Sequence, residues 1–106
     1  MRSFLALCGF ALAGLVLAAE PTFEIAIRDH RFVPNEITVP AGQKVKLIVK
    51  NEDATPEEFE SKRLNREKVI PGRSQATIYI GPLKPGEYPF VGEFNESTAT
   101  GKIVVK

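Results

Sequence analysis

The chain has 106 residues, with 14 Lys and Arg against 13 Asp and Glu, one His, one Cys, one Met and no Trp. This length suits a single domain with a modest hydrophobic core. The balanced charge argues against a basic surface that would bind nucleic acid, so no nucleic-acid partner is expected.

Residues 1–19 have the pattern of a secretory signal peptide. Arg2 precedes an apolar run, and small residues follow that run. The run is short for a bilayer span, so a cleaved peptide is favoured and no membrane insertion is expected after cleavage. Cleavage removes Met1, Arg2 and Cys8, which leaves 13 basic and 13 acidic residues in a domain over 20–106 that has no thiolate ligand. The sequence therefore predicts an exported, periplasmic domain.

The rest of the chain is typical of short strands separated by turns. Apolar and polar residues alternate in "TFEIAIR" over 22–28 and in "KVKLIVKN" over 44–51, as in half-buried strands. Pro- and Gly-containing turns such as "PAGQ" and "PLKPGE" separate further predicted strands at 36–39, 75–81, 88–91 and 101–106. The pattern predicts an all-β sandwich of about seven strands.

The segment 51–72 fits two local structures. Thr55 and Glu58 fit a helix N-cap with a capping box. The apolar residues that follow, however, lack the i, i+3, i+4 spacing of an amphipathic helix. We therefore predict a strand around 57–61 and a loop or short helical turn over 62–68.

Three stretches together resemble the cupredoxin family: "RFVPNEITVPAGQKVKLIVKN", "IYIGPLKPGEYPFVGEF" and "TGKIVV". The resemblance spans nearly all of the chain after residue 19 and implies a Greek-key cupredoxin-like β-sandwich. Blue-copper sites of this family use two His, one Cys and one Met. The resemblance places those four positions on Glu57, Gly92, Asn95 and Ala99. Because none of the four ligands is present, blue-copper electron transfer is excluded.

A second resemblance concerns "EFES" followed by "REKVIPG". These segments are similar to signatures of cupredoxin-like components of bacterial periplasmic iron-uptake systems. The resemblance implies a carboxylate site for a copper or iron ion, and a membrane iron permease or another periplasmic uptake component as the partner. Members of that group often have His at the position of Asn95, so Asn95 is a departure from the pattern.

Strand directions predict where polar side chains meet. If the strands run antiparallel, the turn at His30, the start of the strand with Glu57 and Glu58, and the loop with Glu93 share one end of the sandwich. Imidazole and carboxylates suit Cu(II), iron and zinc, so we predict a metal site from these four residues. Alternation places Glu57 on the face of Phe59 and favours Glu57 as the ligand, whereas the iron-uptake resemblance favours Glu58. Both therefore remain candidates.

The acidic residues also fit a simpler interpretation as solvated surface charges. Glu60 and Glu67 are predicted to pair with nearby basic side chains. The favoured function is a metal-binding accessory of iron or copper uptake, and the alternative is a metal-free interaction module of the same fold. Catalysis of the ferroxidase type is disfavoured, because one copper site alone cannot perform multi-electron oxygen chemistry.

Overall fold

The computed structural model describes residues 20–106, so the predicted signal peptide at 1–19 and Cys8 lie outside the described residues. Within 20–106 the chain forms nine strands and one short 3-10 turn at Glu93–Asn95. The strands are β1 Thr22–Arg28, β2 Arg31–Val33, β3 Glu36–Val39, β4 Val45–Asn51, β5 Glu57–Ser61, β6 Arg66–Ile70, β7 Ser74–Ile80, β8 Gly86–Gly92 and β9 Thr100–Val105. No helix in this part of the chain is long and apolar enough to cross a membrane.

The strands form two sheets, ordered β2-β1-β4-β7 and β3-β9-β8-β5-β6. The pairs β1–β4 and β3–β9 are parallel, and the other pairs are antiparallel. One aromatic cluster joins the two sheets, because the ring of Phe90 lies 4.9 Å from the rings of both Phe32 and Phe59, measured between centroids. The core thus lies between two facing sheets, as alternating apolar side chains require.

The predicted all-β sandwich is confirmed, with nine strands in the described residues instead of about seven. The predicted strand at 57–61 is present as β5, but the predicted loop or helical turn over 62–68 is wrong from residue 66 onward. There β6 pairs with β5 along its whole length, from Ser61 opposite Arg66 to Glu57 opposite Ile70. Because β6 is an edge strand with mostly exposed side chains, it lacks the apolar alternation by which strands are predicted.

Three connecting segments meet at one end of the sandwich, which we name the loop end: the β1–β2 turn, the β4–β5 loop and the segment after β8. Asp53 accepts hydrogen bonds from the backbone N–H groups of Asp29 (2.8 Å) and His30 (2.9 Å). The Thr98 hydroxyl donates to the carbonyl oxygen of His30 at 2.6 Å. The loop end is therefore held by specific hydrogen bonds between all three segments.

Candidate metal site

Asn51, the last residue of β4, positions the start of β5. Its buried side-chain amide donates to the carbonyl oxygens of Thr55 (2.8 Å) and Ile70 (3.1 Å). Its Oδ1 accepts from the N–H of Asp53 at 3.0 Å. Because the buried Asn51 amide uses both its NH₂ group and its oxygen in these hydrogen bonds, it holds the β4–β5 loop in one conformation. The position of Glu57, the first residue of β5, is set by that loop.

The two carboxylates at the start of β5 face opposite sides of the sheet. Glu57 lies on the inward face with Phe59, and the exposed fractions of these residues are 1% and 0%. Glu58 points to the outer face and is 8% exposed. This is the alternation that a strand imposes on successive residues. Neighbouring carboxylates therefore have different surroundings.

The carboxylate of Glu57 is surrounded by hydrogen-bond donors. Its Oε1 accepts from the backbone N–H groups of Glu58 at 2.9 Å and Phe94 at 2.8 Å, and its Oε2 accepts from Asn95 Nδ2 at 2.7 Å. An ionised carboxylate is an acceptor-only group, so three donors match its requirement. No Lys, Arg or His within residues 20–106 forms an ion pair with it. The carboxylate of Glu57 is thus buried, and uncharged N–H donors rather than basic side chains provide its hydrogen bonds.

The four positions that correspond to copper ligands in the cupredoxin family do come together, and protein atoms fill the space between them. A Cβ atom on Gly92 would lie 2.7 Å from Cδ of Glu57 and 2.6 Å from Cβ of Ala99. The side chain of Glu57 therefore fills the space beside the position of the family's Cys. Asn95, at the position of a family His, donates to the same carboxylate. These residues do not fit a blue-copper centre, because they supply no thiolate, thioether or imidazole.

On the outer face, three carboxylates converge. Glu58, Glu67 and Glu93 each place one oxygen within 4.8 Å of the other two. Glu58 is buried, whereas Glu67 and Glu93 are exposed. Glu60 is directly opposite Glu67 in the β5–β6 pairing, a like-charge pair of the kind that destabilises a sheet. The outer face of β5 and β6 beside the end of β8 is thus strongly acidic.

This crowding changes the proton affinity of the cluster. A hydrogen bond with Glu93 raises the pKa of Glu58 to about 7, assisted by burial and by the charges of Glu93, Glu67 and Glu60. Burial also raises the pKa of Glu60, with further contributions from Glu93 and Glu67 that the Lys62 ammonium partly offsets. A proton on Glu58 relieves part of this repulsion near neutral pH. A metal cation would relieve it in the same way.

The contacts of His30 are with a different carboxylate, that of Asp53. Its Nδ1 is 3.6 Å from Oδ2 of Asp53, and its side chain is 47% exposed. Burial opposes ionisation of Asp53, but hydrogen bonds from the N–H groups of His30 and Asp29 outweigh burial and lower the pKa of Asp53, with help from the charges of His30 and Arg73. His30 therefore belongs to the interaction that closes the β1–β2 turn.

Of the four residues predicted to hold a metal, the structure groups Glu58 with Glu93, turns Glu57 inward and places His30 beside Asp53. Glu67 is the residue that the sequence did not reveal. It was expected to pair with a basic side chain, yet neither Glu67 nor Glu60 forms an ion pair within the described 20–106 segment. Recognising β6 as a strand would have placed Glu67 opposite Glu60 and thus on the acidic face.

The chain matches the sequence model of the cupredoxin-like domain over residues 2–105, and it belongs to that family. An uncharacterized protein of Rickettsia prowazekii (strain Madrid E) is 48% identical over 82 residues, which cover 77% of this chain and 66% of that protein. The chain thus spans slightly less than two thirds of that relative.

Several solved structures with a similar fold are copper proteins. Auracyanin A, a blue copper protein of Chloroflexus aurantiacus, has a TM-score of 0.71 and 18% identity over 83% of this chain and 100% of that one. The Cu(I)-bound metal-binding domain of the Cu(I)-exporting P-type ATPase CopA of Streptococcus pneumoniae has a TM-score of 0.71 and 14% identity, covering 86% and 91%. A copper-binding protein in its apo form has a TM-score of 0.73 and 15% identity, covering 86% and 92%. At these identities the likeness concerns the fold.

Proposed function

We propose that this protein binds a metal ion, Cu(II) or iron, through the carboxylates of Glu58, Glu67 and Glu93, and that the ion is its cargo. The observation that carries the proposal is the convergence of these three carboxylates, which leaves Glu58 with a pKa of about 7. Such a group holds a proton that a cation can displace at neutral pH. Oxygen donors without thiolate or thioether favour Cu(II) and iron over Cu(I).

Access to the cluster also supports cargo binding. Glu93 and Glu60 line a groove of about 570 Å³ that is further bordered by Lys62, Arg63 and Glu96. An ion in this position would keep contact with solvent, because two of its three carboxylate ligands are exposed. A cargo ion has to be released to the next protein, and an open site permits exchange. We propose that this exchange occurs in the periplasm, with a membrane iron permease or another uptake component as the receiver.

The proposal is tested by titrating the purified protein with Cu(II), Fe(II) and Fe(III) in calorimetry, with elemental analysis of the product. We expect one equivalent to bind. Each of E58Q, E67Q and E93Q should raise the Kd at least about tenfold, since each removes a charged ligand. E87Q is the matched control, because it removes the same charge from the other end of β8. Absence of binding at micromolar metal, or equal effects of all four variants, would contradict the proposal.

The Cu(II) form offers a second, independent measurement. Its EPR spectrum reports whether nitrogen coordinates the ion. We expect an all-oxygen spectrum that H30A leaves unchanged, because His30 is engaged with Asp53. Nitrogen coupling that disappears in H30A would instead make His30 a ligand.

A metal-free interaction module is the second candidate, and one observation favours it. The hydrogen-bonded Glu57 side chain fills the space beside Gly92, and Phe94, whose N–H donates to Glu57, is 51% exposed. An exposed aromatic side chain on a loop is suited to contact a partner protein. Metal that co-purifies with the protein and is lost from E67Q would reject this candidate.

A further inference from the structure

One oxygen atom of Glu57 joins the two chain segments that carry Glu58 and Glu93. Oε1 accepts the N–H of Glu58 at 2.9 Å and the N–H of Phe94 at 2.8 Å. The first N–H belongs to one candidate ligand, and the second belongs to the residue that directly follows the other. The position of this oxygen therefore constrains the backbone on both sides of the acidic cluster.

The side chain of Glu57 accepts a backbone hydrogen bond at the point where the β5–β8 pairing ends. The two strands pair only at Phe59 with Gly92 and at Glu60 with Val91. One further antiparallel step would place Glu58 directly opposite Glu93, which like charges disfavour. Instead β8 ends at Gly92, the chain turns into Glu93–Asn95, and the side chain of Glu57 receives the N–H of Phe94. A side-chain acceptor thus replaces a sheet hydrogen bond.

Apart from the hydrogen bond from Thr98 to His30, the segment after β8 is otherwise bonded mainly to itself. The N–H of Gly92 donates to the carbonyl oxygen of Ala99 at 2.8 Å, and the N–H of Ala99 donates to that of Asn95 at 2.8 Å. The side chain of Asn95 then donates to Oε2 of Glu57 at 2.7 Å. Glu57 is therefore the side chain through which this folded loop is attached to β5.

We infer that Glu57 is a positioning residue that sets the separation of the Glu58 and Glu93 carboxylates, and that it is not itself a ligand. The three donors engage both lone pairs of Oε1 and one of Oε2, so these acceptor positions are used within the protein and are not free to bind a metal ion. The effect of this residue on metal binding rests on the proposed function. Its effect on the backbone does not.

The test compares E57A, E57Q and N95A with the wild-type protein. In E57Q the carbonyl oxygen still accepts both backbone N–H groups, and the new NH₂ donates to Asn95 once the Asn95 amide turns over. We therefore expect E57Q to keep the Kd for Cu(II) or iron within about threefold, and E57A to raise it about 10–100-fold, as loss of a group that orients ligands does. N95A frees Oε2 and loosens the loop, so it should also raise the Kd.

A direct ligand would behave in the opposite way. If Glu57 coordinated the ion, E57Q would weaken binding as much as E58Q, and N95A would leave binding unchanged or tighter. Either result overturns the inference. Because E57Q and N95A are milder changes, they decide the question even where E57A does not fold.

A metal-independent measurement separates this inference from the proposed function. Hydrogen exchange of the Phe94 amide, followed by NMR in metal-free protein, should be slow in the wild-type protein and E57Q and fast in E57A or N95A. If the wild-type protein binds no metal, the proposed function fails while the exchange comparison still tests the attachment. Exchange that is equal in all four proteins contradicts the inference, whatever the metal result.

Discussion

Glu57 and Glu58 are consecutive residues of the same type, and both are buried, yet their surroundings are opposite. Three N–H donors surround the inward carboxylate of Glu57, whereas the outward carboxylate of Glu58 faces Glu67 and Glu93. Burial alone therefore does not decide the role of an acidic residue. The partners decide it: donors make Glu57 part of the fold, and like charges leave Glu58 available to a cation.

The largest expected effect separates the two residues by stability. E57A leaves the N–H groups of Glu58 and Phe94 and the amide of Asn95 without their acceptor; the first of these hydrogen bonds is buried and the other two are part-buried. An unsatisfied donor costs about 1–3 kcal/mol where it is buried, and less where water reaches it. We expect it to lower the free energy of unfolding by about 3 kcal/mol or more in urea titrations. E58A removes one of several crowded charges and should leave stability unchanged or higher at mildly alkaline pH. Equal losses in the two variants would contradict the comparison.

The next effect concerns the space that Glu57 fills. G92A adds a methyl group that meets both Glu57 and Ala99, and we expect a loss of about 1–3 kcal/mol from overpacking. In a double-mutant cycle, E57A should relieve part of that loss, so that the double variant is more stable than the sum of the single effects predicts. Strict additivity would show that the Glu57 side chain is not the obstacle.

The smallest effect is the pH dependence of Glu58. Its pKa of about 7 lies above the ordinary value of 4.5, so the folded protein holds a proton that the unfolded chain releases between these values. The stability from this proton is complete below about pH 4.5 and is lost as the pH rises through about 7. We expect the Tm of metal-free protein to fall with pH across this window relative to E58Q, in which the group is absent. Parallel Tm profiles of the two proteins would refute this.

Much of the fold followed from the sequence, because half-buried strands carry an alternating pattern. The strands at 22–28 and 36–39 occur where that pattern and the turn residues place them. The strand at 57–61 was predicted instead because its segment lacks the spacing of an amphipathic helix. β6 did not follow, since its side chains are exposed at an edge and its apolar alternation is lost. The opposite faces of Glu57 and Glu58 were also predictable, because alternation along a strand is a local property.

The acidic cluster was only partly predictable. Glu58 and Glu93 were expected at one end of the sandwich, but Glu67 depends on the register of a hairpin that the sequence did not reveal. The contact of Glu57 with Gly92 depends on how the Glu57 side chain fits the space that a side chain on residue 92 would otherwise occupy. Contacts of this kind join residues that are distant in the chain, so a local sequence pattern does not predict them.

The parallel pairing of β3 with β9 has a consequence for the kinetics of folding. Val39 pairs with Val105, so β3 cannot join its sheet until nearly the whole described chain is available. Non-local pairing of this kind slows folding, typically to the range of milliseconds to seconds. The carboxylates of Glu58 and Glu93 approach each other only when β8, the neighbour of β9, is in place. In the newly made chain these two carboxylates are therefore separate until late in folding, so an ion bound at the proposed site would be loaded after folding.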